Sequence, residues 1–278
     1  TGCRPILTHQ RVDFALVSID QIVNQAAKWH YMFGGEMSAP MVIRMIIGRG
    51  WGQGPQHSQA LHAWFAHIPG LKVVLPATAH DAKGMLIAAV RDENPVIFLE
   101  HRWLYNVKDT VPEAGYETPL DKAVIKREGS DVTLIGISYM TLECLRAAAL
   151  LAEQGISAEV VDLRSVRPID YETLLASIEK TGLVVIADHA TLVGSIASDI
   201  ASAISEKLFG VLRHSPIRVG LPNHPVPTSH GIARGYYPNA IDIANYALSA
   251  LGLPRIEPGS HSVQHPHDQP DASFVGPF

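Results

Sequence analysis

The chain has 278 residues, of which 47% are hydrophobic and 18% are charged, and its formal net charge is −5. That length suits two domains, each with its own core. No run of Lys or Arg exceeds two residues and no apolar stretch reaches the ~20 residues of a membrane span. We therefore expect neither a nucleic-acid partner nor membrane insertion.

Cysteine usage indicates a reducing compartment, and we expect a cytoplasmic protein. Cys3 and Cys144 are the only cysteines and lack CxxC spacing, so a disulfide framework and a thiolate zinc site are disfavoured. The sequence opens at Thr1 with neither an initiator Met nor a signal peptide, which suggests a portion of a longer protein.

In the first half, short β-branched runs alternate with amphipathic ones, the pattern of a parallel sheet with crossover helices. Strands are predicted over residues 5–8, 41–47, 72–75 and 96–99, and helices over residues 18–29, 58–65 and 79–92. Ser58 is expected to cap the second of these helices. Residues 48–55 form a glycine-rich loop after a buried strand.

A second alternation of strands and helices follows a segment that is rich in charged residues and turn residues. Strands are predicted over residues 132–137, 158–162, 183–188 and 217–220, and helices over residues 141–154, 171–180, 196–208 and 240–251. The fold class is therefore α/β, with two doubly wound domains. The predicted division is a first domain over residues 1–110, a linker over 111–131, a second domain over 132–253 and an irregular tail over 254–278.

The tail combines Pro, Gly and Ser with three histidines, His261, His265 and His267. Such a cluster is compatible with a metal site. Its composition favours the alternative, a solvated arm or one that lies on a partner.

His57 is the first candidate for chemistry, because ligand sites lie beyond the carboxyl ends of parallel strands. Its imidazole follows the glycine-rich loop and can exchange protons with a bound reactant at neutral pH. The alternative is a histidine that merely packs at a helix start. His62 and His67, which follow, lack a third ligand at zinc spacing.

Two further groups of polar residues end predicted strands in the second half. Arg164 and Arg167 flank a turn, where they would pair with carboxylates across a dimer interface or bind an anionic ligand. Asp188 and His189 are adjacent on a strand, so their side chains point to opposite faces and cannot easily serve one site.

Several long segments resemble, in order, the β subunits of the decarboxylase component of 2-oxoacid dehydrogenases. They are DFALVSIDQIVNQAAKWHYMFGG, GPQHSQ, PGLKVVLPATAHDAKGMLIAAVRDENPVIFLE and VVDLRSVRPIDYETLLASIEKTGLVVIAD. The family includes pyruvate, branched-chain oxoacid and acetoin enzymes and is related to transketolase. The resemblance runs from about residue 2 to about residue 252. It implies a pyrimidine-binding domain, incomplete at its start, and a transketolase C-terminal-like domain.

The resemblance also implies the cofactor, thiamine diphosphate with Mg²⁺, shared with a partner subunit. His57 corresponds to the histidine near the reactive carbon of the cofactor, and Phe14 to an aromatic residue that packs on its aminopyrimidine. Gln10 matches a glutamine of the same region, where His9 and Arg11 replace two aromatic residues.

A potassium site of the family maps to residues around a predicted helix end, namely Met41, Ala89, Val90, Asp92 and Asn94. Free carbonyls and a carboxylate at that end suit a hard cation. The alternative is an ordinary Asp/Asn helix terminus.

The catalytic glutamate of the family would lie upstream of Thr1. The G-D-G motif that holds magnesium and diphosphate is absent, as expected if an α subunit carries it. The resemblance therefore implies an α subunit partner, self-association through the C-terminal domain to α2β2, and a lipoyl-bearing acyltransferase as acceptor.

Two departures from the family concern substrate and partner choice. The chain reads LEHRWLYN where relatives often read LENELLYG, so His101 and Arg102 indicate a different oxoacid, acceptor or partner surface. Trp51 makes the glycine-rich loop bulkier and is predicted to narrow the substrate entrance.

The favoured function is decarboxylation of a 2-oxoacid with acyl transfer to lipoyl-lysine, active only with an α subunit. One alternative is a subunit of a split transketolase, and another is a non-catalytic assembly subunit without the activating glutamate.

Overall fold

The computed structural model describes residues 2–50, 52–257 and 267–269, and it confirms the predicted α/β class. The described residues form ten strands, numbered in chain order: β1 (Ile6–His9), β2 (Val42–Ile47), β3 (Lys72–Val74), β4 (Val96–His101), β5 (Val124–Arg127), β6 (Val132–Gly136), β7 (Ala158–Asp162), β8 (Ser165–Arg167), β9 (Val184–Thr191) and β10 (Ile217–Leu221).

These strands form two five-stranded sheets with the same plan. The orders are β1-β2-β4-β3-β8 and β10-β9-β6-β7-β5. Four strands of each sheet run parallel, and the last one, β8 or β5, pairs antiparallel at an edge. Because β8 comes from the second half of the chain, it ties that half to the first sheet.

Helices cover the sheets: α1 (Trp29–Met32), α2 (His62–Ala66), α3 (Ala79–Arg91), α4 (Met140–Glu153), α5 (Tyr171–Thr181), α6 (Ile196–Leu208) and α7 (Ala240–Ala250). The single helix predicted over residues 18–29 is wrong. The chain there forms a 3₁₀ helix (Val12–Ser18), a π-helix (Gln21–Ala26) and then α1. Only Ile22 of the π-helix is buried, so little packing favours one regular helix.

The largest hydrophobic cluster lies between the two sheets and contains side chains from both halves. Met45 and Leu99 come from the first sheet, and Ile135 and Ile186 from the second. A second cluster lies where α4 and α7 cover the second sheet. The predicted linker, residues 111–131, contains β5, and the division into domains stays a prediction. In the described part of the chain, no helix is long and apolar enough to cross a bilayer.

Buried polar contacts also join the two halves. Arg164 donates a hydrogen bond of 2.7 Å to the fully buried Asp81, and Arg167 donates to the carbonyl of Ala66 at 2.9 Å. Arg164 thus has a carboxylate partner in its own chain, and its predicted contact with a dimer partner or an anion stays a prediction.

Two pairs of buried side chains lie where β9 faces the first half. Asp188 accepts from His62 across 3.0 Å, and His189 contacts His101 across 2.8 Å. The two neighbours on β9 thus serve different partners, as the alternation along a strand predicts. Each of the four side chains is buried.

The hydrogen bonds assign the protons of the His101–His189 pair. Trp103 donates its backbone N–H to Nδ1 of His101, so Nε2 of His101 carries the proton and donates to Nδ1 of His189. Burial lowers the pKa of His189 to about 4. Burial, followed by the nearby His189, His62 and Arg11, lowers the pKa of His101 well below its ordinary value. Both rings are therefore neutral at pH 7.

We expect this pair to make the free energy of unfolding fall as the pH drops from about 6.5 towards 4. Over that range the unfolded chain protonates both imidazoles while the folded chain does not. Each proton taken up contributes about 1.4 kcal/mol per pH unit. Urea unfolding between pH 7 and 5.5 measures this slope for the chain and for His101→Asn, in which the slope should be smaller by up to about 1.4 kcal/mol per pH unit at the acid end. An unchanged slope in the variant would contradict the assignment.

Candidate functional site

The glycine-rich loop leaves the carboxyl end of β2 and is closed at its base by one hydrogen bond. The N–H of Gly48 donates to the carbonyl of Gln59 at 3.1 Å. Gly48 has a φ of +79°, and a Cβ there would lie 2.5 Å from Nε2 of His101. Only glycine fits this position, both for its backbone conformation and for the close approach of the buried ring.

His57 lies at the far end of this loop, in a 3₁₀ turn (Pro55–His57), with its side chain exposed. Its N–H donates to the carbonyl of Gly54 at 3.1 Å. The buried Ser58 donates through Oγ to the carbonyl of Gln53. Ser58 therefore holds the loop, and its predicted role as a helix cap is wrong, since α2 begins at His62.

Phe14 meets His57 at the edge of the first sheet. The two rings are 5.2 Å apart between centroids and nearly perpendicular, at 87°. Phe14 follows β1 and His57 follows β2, and because these neighbouring strands are parallel, their carboxyl ends bring the segments together. Phe14 remains 42% exposed, so part of its ring is available to another aromatic group.

A side-chain hydrogen bond fixes these two segments relative to each other. Gln59, two residues after His57, donates through Nε2 to Oδ1 of Asp13 at 2.8 Å. Asp13 directly precedes Phe14. Burial raises the pKa of Asp13, and its second oxygen, Oδ2, is buried with no hydrogen-bond partner. Gln59 therefore connects the segment of Phe14 to both ends of the glycine-rich loop.

Arg11 holds the first residue of the glycine-rich loop, Gly48. Its side chain is buried and donates through NH1 to the carbonyl of Gly48 at 2.9 Å. Sequence reasoning noted Arg11 only as a replacement for an aromatic residue, and nothing in the local pattern indicated this contact across 37 positions. Gln10, the next residue towards β1, is exposed, and the structure does not group it with Phe14 and His57.

Comparison with known proteins finds a matching family for each half of the chain. Residues 1–108 match the transketolase pyrimidine binding domain family, and residues 121–243 match the transketolase C-terminal domain family. The chain is 46% identical over 250 residues to the acetoin:2,6-dichlorophenolindophenol oxidoreductase subunit beta of Cupriavidus necator, which covers 90% of this chain and 74% of that protein. It is 40% identical over 253 residues to the pyruvate dehydrogenase E1 component subunit beta-2 of Oryza sativa, with 90% and 67% covered.

The chain belongs to the family of these E1-type beta subunits. Family membership confirms the predicted resemblance and the α/β fold with transketolase-like domains. Among solved structures, a split gene transketolase described as an inactive beta4 tetramer has a TM-score of 0.73 at 27% identity, covering 91% of this chain and 78% of that one.

The residues predicted for a potassium site in this E1-type beta subunit lie together at the carboxyl end of α3, but their oxygens already have partners. The carbonyls of Val90 and Asp92 both accept from NH1 of Arg4, at 3.2 and 2.8 Å. The side chain of Asp92 contacts the Lys72 ammonium and accepts from the N–H of Asn94.

The other two carbonyls take part in backbone hydrogen bonds. Met41 accepts from the N–H of Val96 at 2.9 Å, and Ala89 accepts from the N–H of Asp92 at 3.4 Å. Each carbonyl keeps a second lone pair, so the oxygen set suits a hard cation chemically. Arg4 and Lys72 already supply positive charge there, and the potassium site stays a prediction.

The departures from the family pattern have different outcomes. His101 and Arg102 are buried, and Arg102 lies 5.1 Å from the ring of Tyr105, so this pair is not a partner surface. Trp51 lies outside the described residues, and its gating role stays a prediction.

We expect the Asp13–Gln59 hydrogen bond to control turnover through the placement of Phe14 and His57. Gln59→Glu sets two carboxylates against each other and should lower kcat of the assembled enzyme by about 10- to 100-fold, since small misplacements of reacting groups are costly. Adding Asp13→Asn lets an amide donate to the new carboxylate and should restore most of kcat.

Asp13→Asn alone supplies the baseline for the double variant, because its amide oxygen still accepts from Gln59 and any loss of kcat that it shows comes from the replacement of Oδ2. The pair has no positioning role if the double variant is as slow as Gln59→Glu.

Proposed function

We propose that this E1-type beta subunit supplies the half of a thiamine diphosphate site that faces the cofactor's rings, in a 2-oxoacid dehydrogenase. The observation that carries the proposal is the contact between Phe14 and His57 at the exposed carboxyl edge of the first sheet. A ring with an accessible face and an imidazole beside it match an aromatic, nitrogen-rich cofactor and its reaction centre.

Residues of this chain fit the ring end of the cofactor. Phe14 offers an apolar face to the aminopyrimidine, and Asp13 has a buried, unpartnered oxygen in the adjoining position. Gln10 is proposed to contribute from the exposed turn after β1. The diphosphate and its Mg²⁺ are assigned to an α subunit, because this chain contains no G-D-G motif.

When bound, thiamine diphosphate stabilises the negative charge left on the substrate carbon by loss of carbon dioxide. We assign His57 the role of holding or moving a proton at its exposed imidazole. That imidazole would lie beside the oxygen of the oxoacid and, later, beside the oxygen of the acyl group. The hydrogen bonds of Gly48 and Gln59 keep that imidazole in place without using its ring nitrogens. The proposed acyl acceptor is the lipoyl-lysine of an acyltransferase.

The chain segment that carries Phe14 also exposes many apolar side chains, which supports a partner subunit. Nine of the nineteen exposed large apolar side chains in the described residues lie between Ile6 and Met37. Val17 and Tyr31 are each 88% exposed. A concentration of exposed apolar side chains in one segment is typical of a protein–protein interface. We assign it to the α subunit, within an α2β2 assembly that also uses the C-terminal domain.

A bound potassium ion at the carboxyl end of α3 is part of the proposal. The carbonyls of Met41, Ala89 and Val90, with Asp92 and Asn94, would hold it once Arg4 moves aside. Melting temperatures of the assembled enzyme in equal concentrations of potassium and sodium chloride test this site, and equal values would argue against it.

The split transketolase alternative shares this fold, and the solved relative is 27% identical. The acetoin and pyruvate relatives are 46% and 40% identical over nearly the same length, so we favour a dehydrogenase of their type over a transketolase.

We expect His57→Ala to assemble with its α subunit and to bind cofactor, yet to turn over pyruvate or acetoin at least about 100-fold more slowly, because a positioned proton donor contributes on this scale. Steady-state kinetics with an artificial electron acceptor measure the loss. His67→Ala, which removes another exposed imidazole from the same stretch, is the matched control.

Equal rates for His57→Ala and the unchanged protein would end the assignment of His57. Analysis of products from a ketose phosphate in the same assay separates the transketolase alternative.

A further inference from the structure

A cluster of two imidazoles and a carboxylate lies away from the Phe14–His57 contact. His267 and Asp268, from the tail, lie beside His230, which is 37 positions earlier in the chain. One ligand atom from each residue can be chosen so that all three lie within 4.8 Å of one another. The imidazole rings of His230 and His267 are 4.0 Å apart between centroids.

We propose that His230, His267 and Asp268, here called the tail cluster, bind a divalent transition metal ion of the zinc class. Two imidazoles and one carboxylate are the donor set that Zn²⁺, Co²⁺ and Ni²⁺ prefer, whereas Mg²⁺ and Ca²⁺ require mainly oxygen ligands. Metal–ligand bonds of roughly 2.0–2.2 Å bring ligand atoms closer than 4.8 Å, a difference that small side-chain rotations close.

Each member of the cluster keeps a lone pair for an ion. Nδ1 of His230 lies 2.8 Å from Oδ1 of Asp268, so an ion that replaces the proton between them would bind both atoms while the neutral ring carries its proton on Nε2. Nε2 of His267 donates to the carbonyl of His230 at 2.5 Å, which leaves its Nδ1 free of a proton. His230 is largely exposed, so an ion can reach the cluster from solvent.

A buried guanidinium holds the carboxylate of the tail cluster in place. Arg49, whose side chain is fully buried, donates through NH2 to the carbonyl of Thr228 at 3.0 Å and lies 3.2 Å from Oδ2 of Asp268. It therefore fixes the carboxylate and the segment that carries His230. Partners that orient a metal ligand in this way raise the affinity of metal sites. Oδ1 of Asp268, which faces Nδ1 of His230, is the carboxylate oxygen that would bind the ion.

The cluster gives His267, one histidine of the tail, a role that the proposed decarboxylase function does not use. Sequence reasoning raised a metal site at His261, His265 and His267. His261 and His265 lie outside the described residues, so the ligand set proposed here is a different one, with His230 and Asp268. Because Arg49 belongs to the glycine-rich loop, an ion in the cluster would fasten the tail to the segment that ends in His57.

The test is metal binding by the full chain after removal of metals with a chelator. Isothermal titration with ZnCl₂ should show saturable binding of one ion per chain, and Co²⁺ should give visible absorption bands of a low-symmetry site. Replacing both imidazoles, in His230→Gln with His267→Gln, should weaken binding by at least about 100-fold, as loss of ligands exceeds the 10- to 100-fold effect of their supporting partners.

The matched control is a double variant of two other exposed imidazoles, His67→Gln with His214→Gln, which should bind as tightly as the unchanged chain. Unchanged Zn²⁺ affinity in the cluster variant, or no uptake by the unchanged chain, overturns the proposal. If the tail cluster binds no metal ion, the expected loss of turnover in His57→Ala still holds. Failure of this proposal is therefore distinguishable from failure of the proposed function.

Discussion

The arrangement of the site depends on the two hydrogen bonds that converge on Gln59. Its carbonyl accepts from Gly48 and closes the glycine-rich loop, while its side chain donates to Asp13 and holds the neighbouring segment. Phe14 lies in a short 3₁₀ helix and His57 in a 3₁₀ turn, and neither segment is part of a sheet, so a few buried polar contacts must set their relative position. A loop rich in glycine can approach the buried His101 closely, and it therefore needs this closure to hold one conformation.

This geometry also explains why such a chain would act with a partner. An aromatic ring that is 42% exposed and an exposed imidazole form an open edge, and an open edge does not exclude water from a charged reaction centre. Exposed apolar side chains of the same N-terminal segment, among them Val17 and Tyr31, are stabilised when another surface covers them. A subunit that holds the diphosphate end of the cofactor would satisfy both requirements at once.

The sequence was informative where structure is local and regular. Strand β7 and helix α6 begin and end at the predicted residues, because each has a clear apolar period and distinct boundaries. Strands β5 and β8 were missed, since they are short edge strands paired to residues more than 30 positions away. Among the site residues, the adjacency of Phe14 and His57 agreed with the expected ends of parallel strands, whereas the contacts of Arg11, Gln59 and His189 depend on tertiary packing that no local pattern reports.

The central claim, a cofactor held from two sides, is tested most directly by titrating thiamine diphosphate with Mg²⁺ into this chain alone and into the chain assembled with its α subunit. The account predicts saturable binding by the assembly, weakened about 10-fold by Phe14→Ala through loss of ring contacts, and no saturable binding by the isolated chain. Equally tight binding by the isolated chain would contradict it.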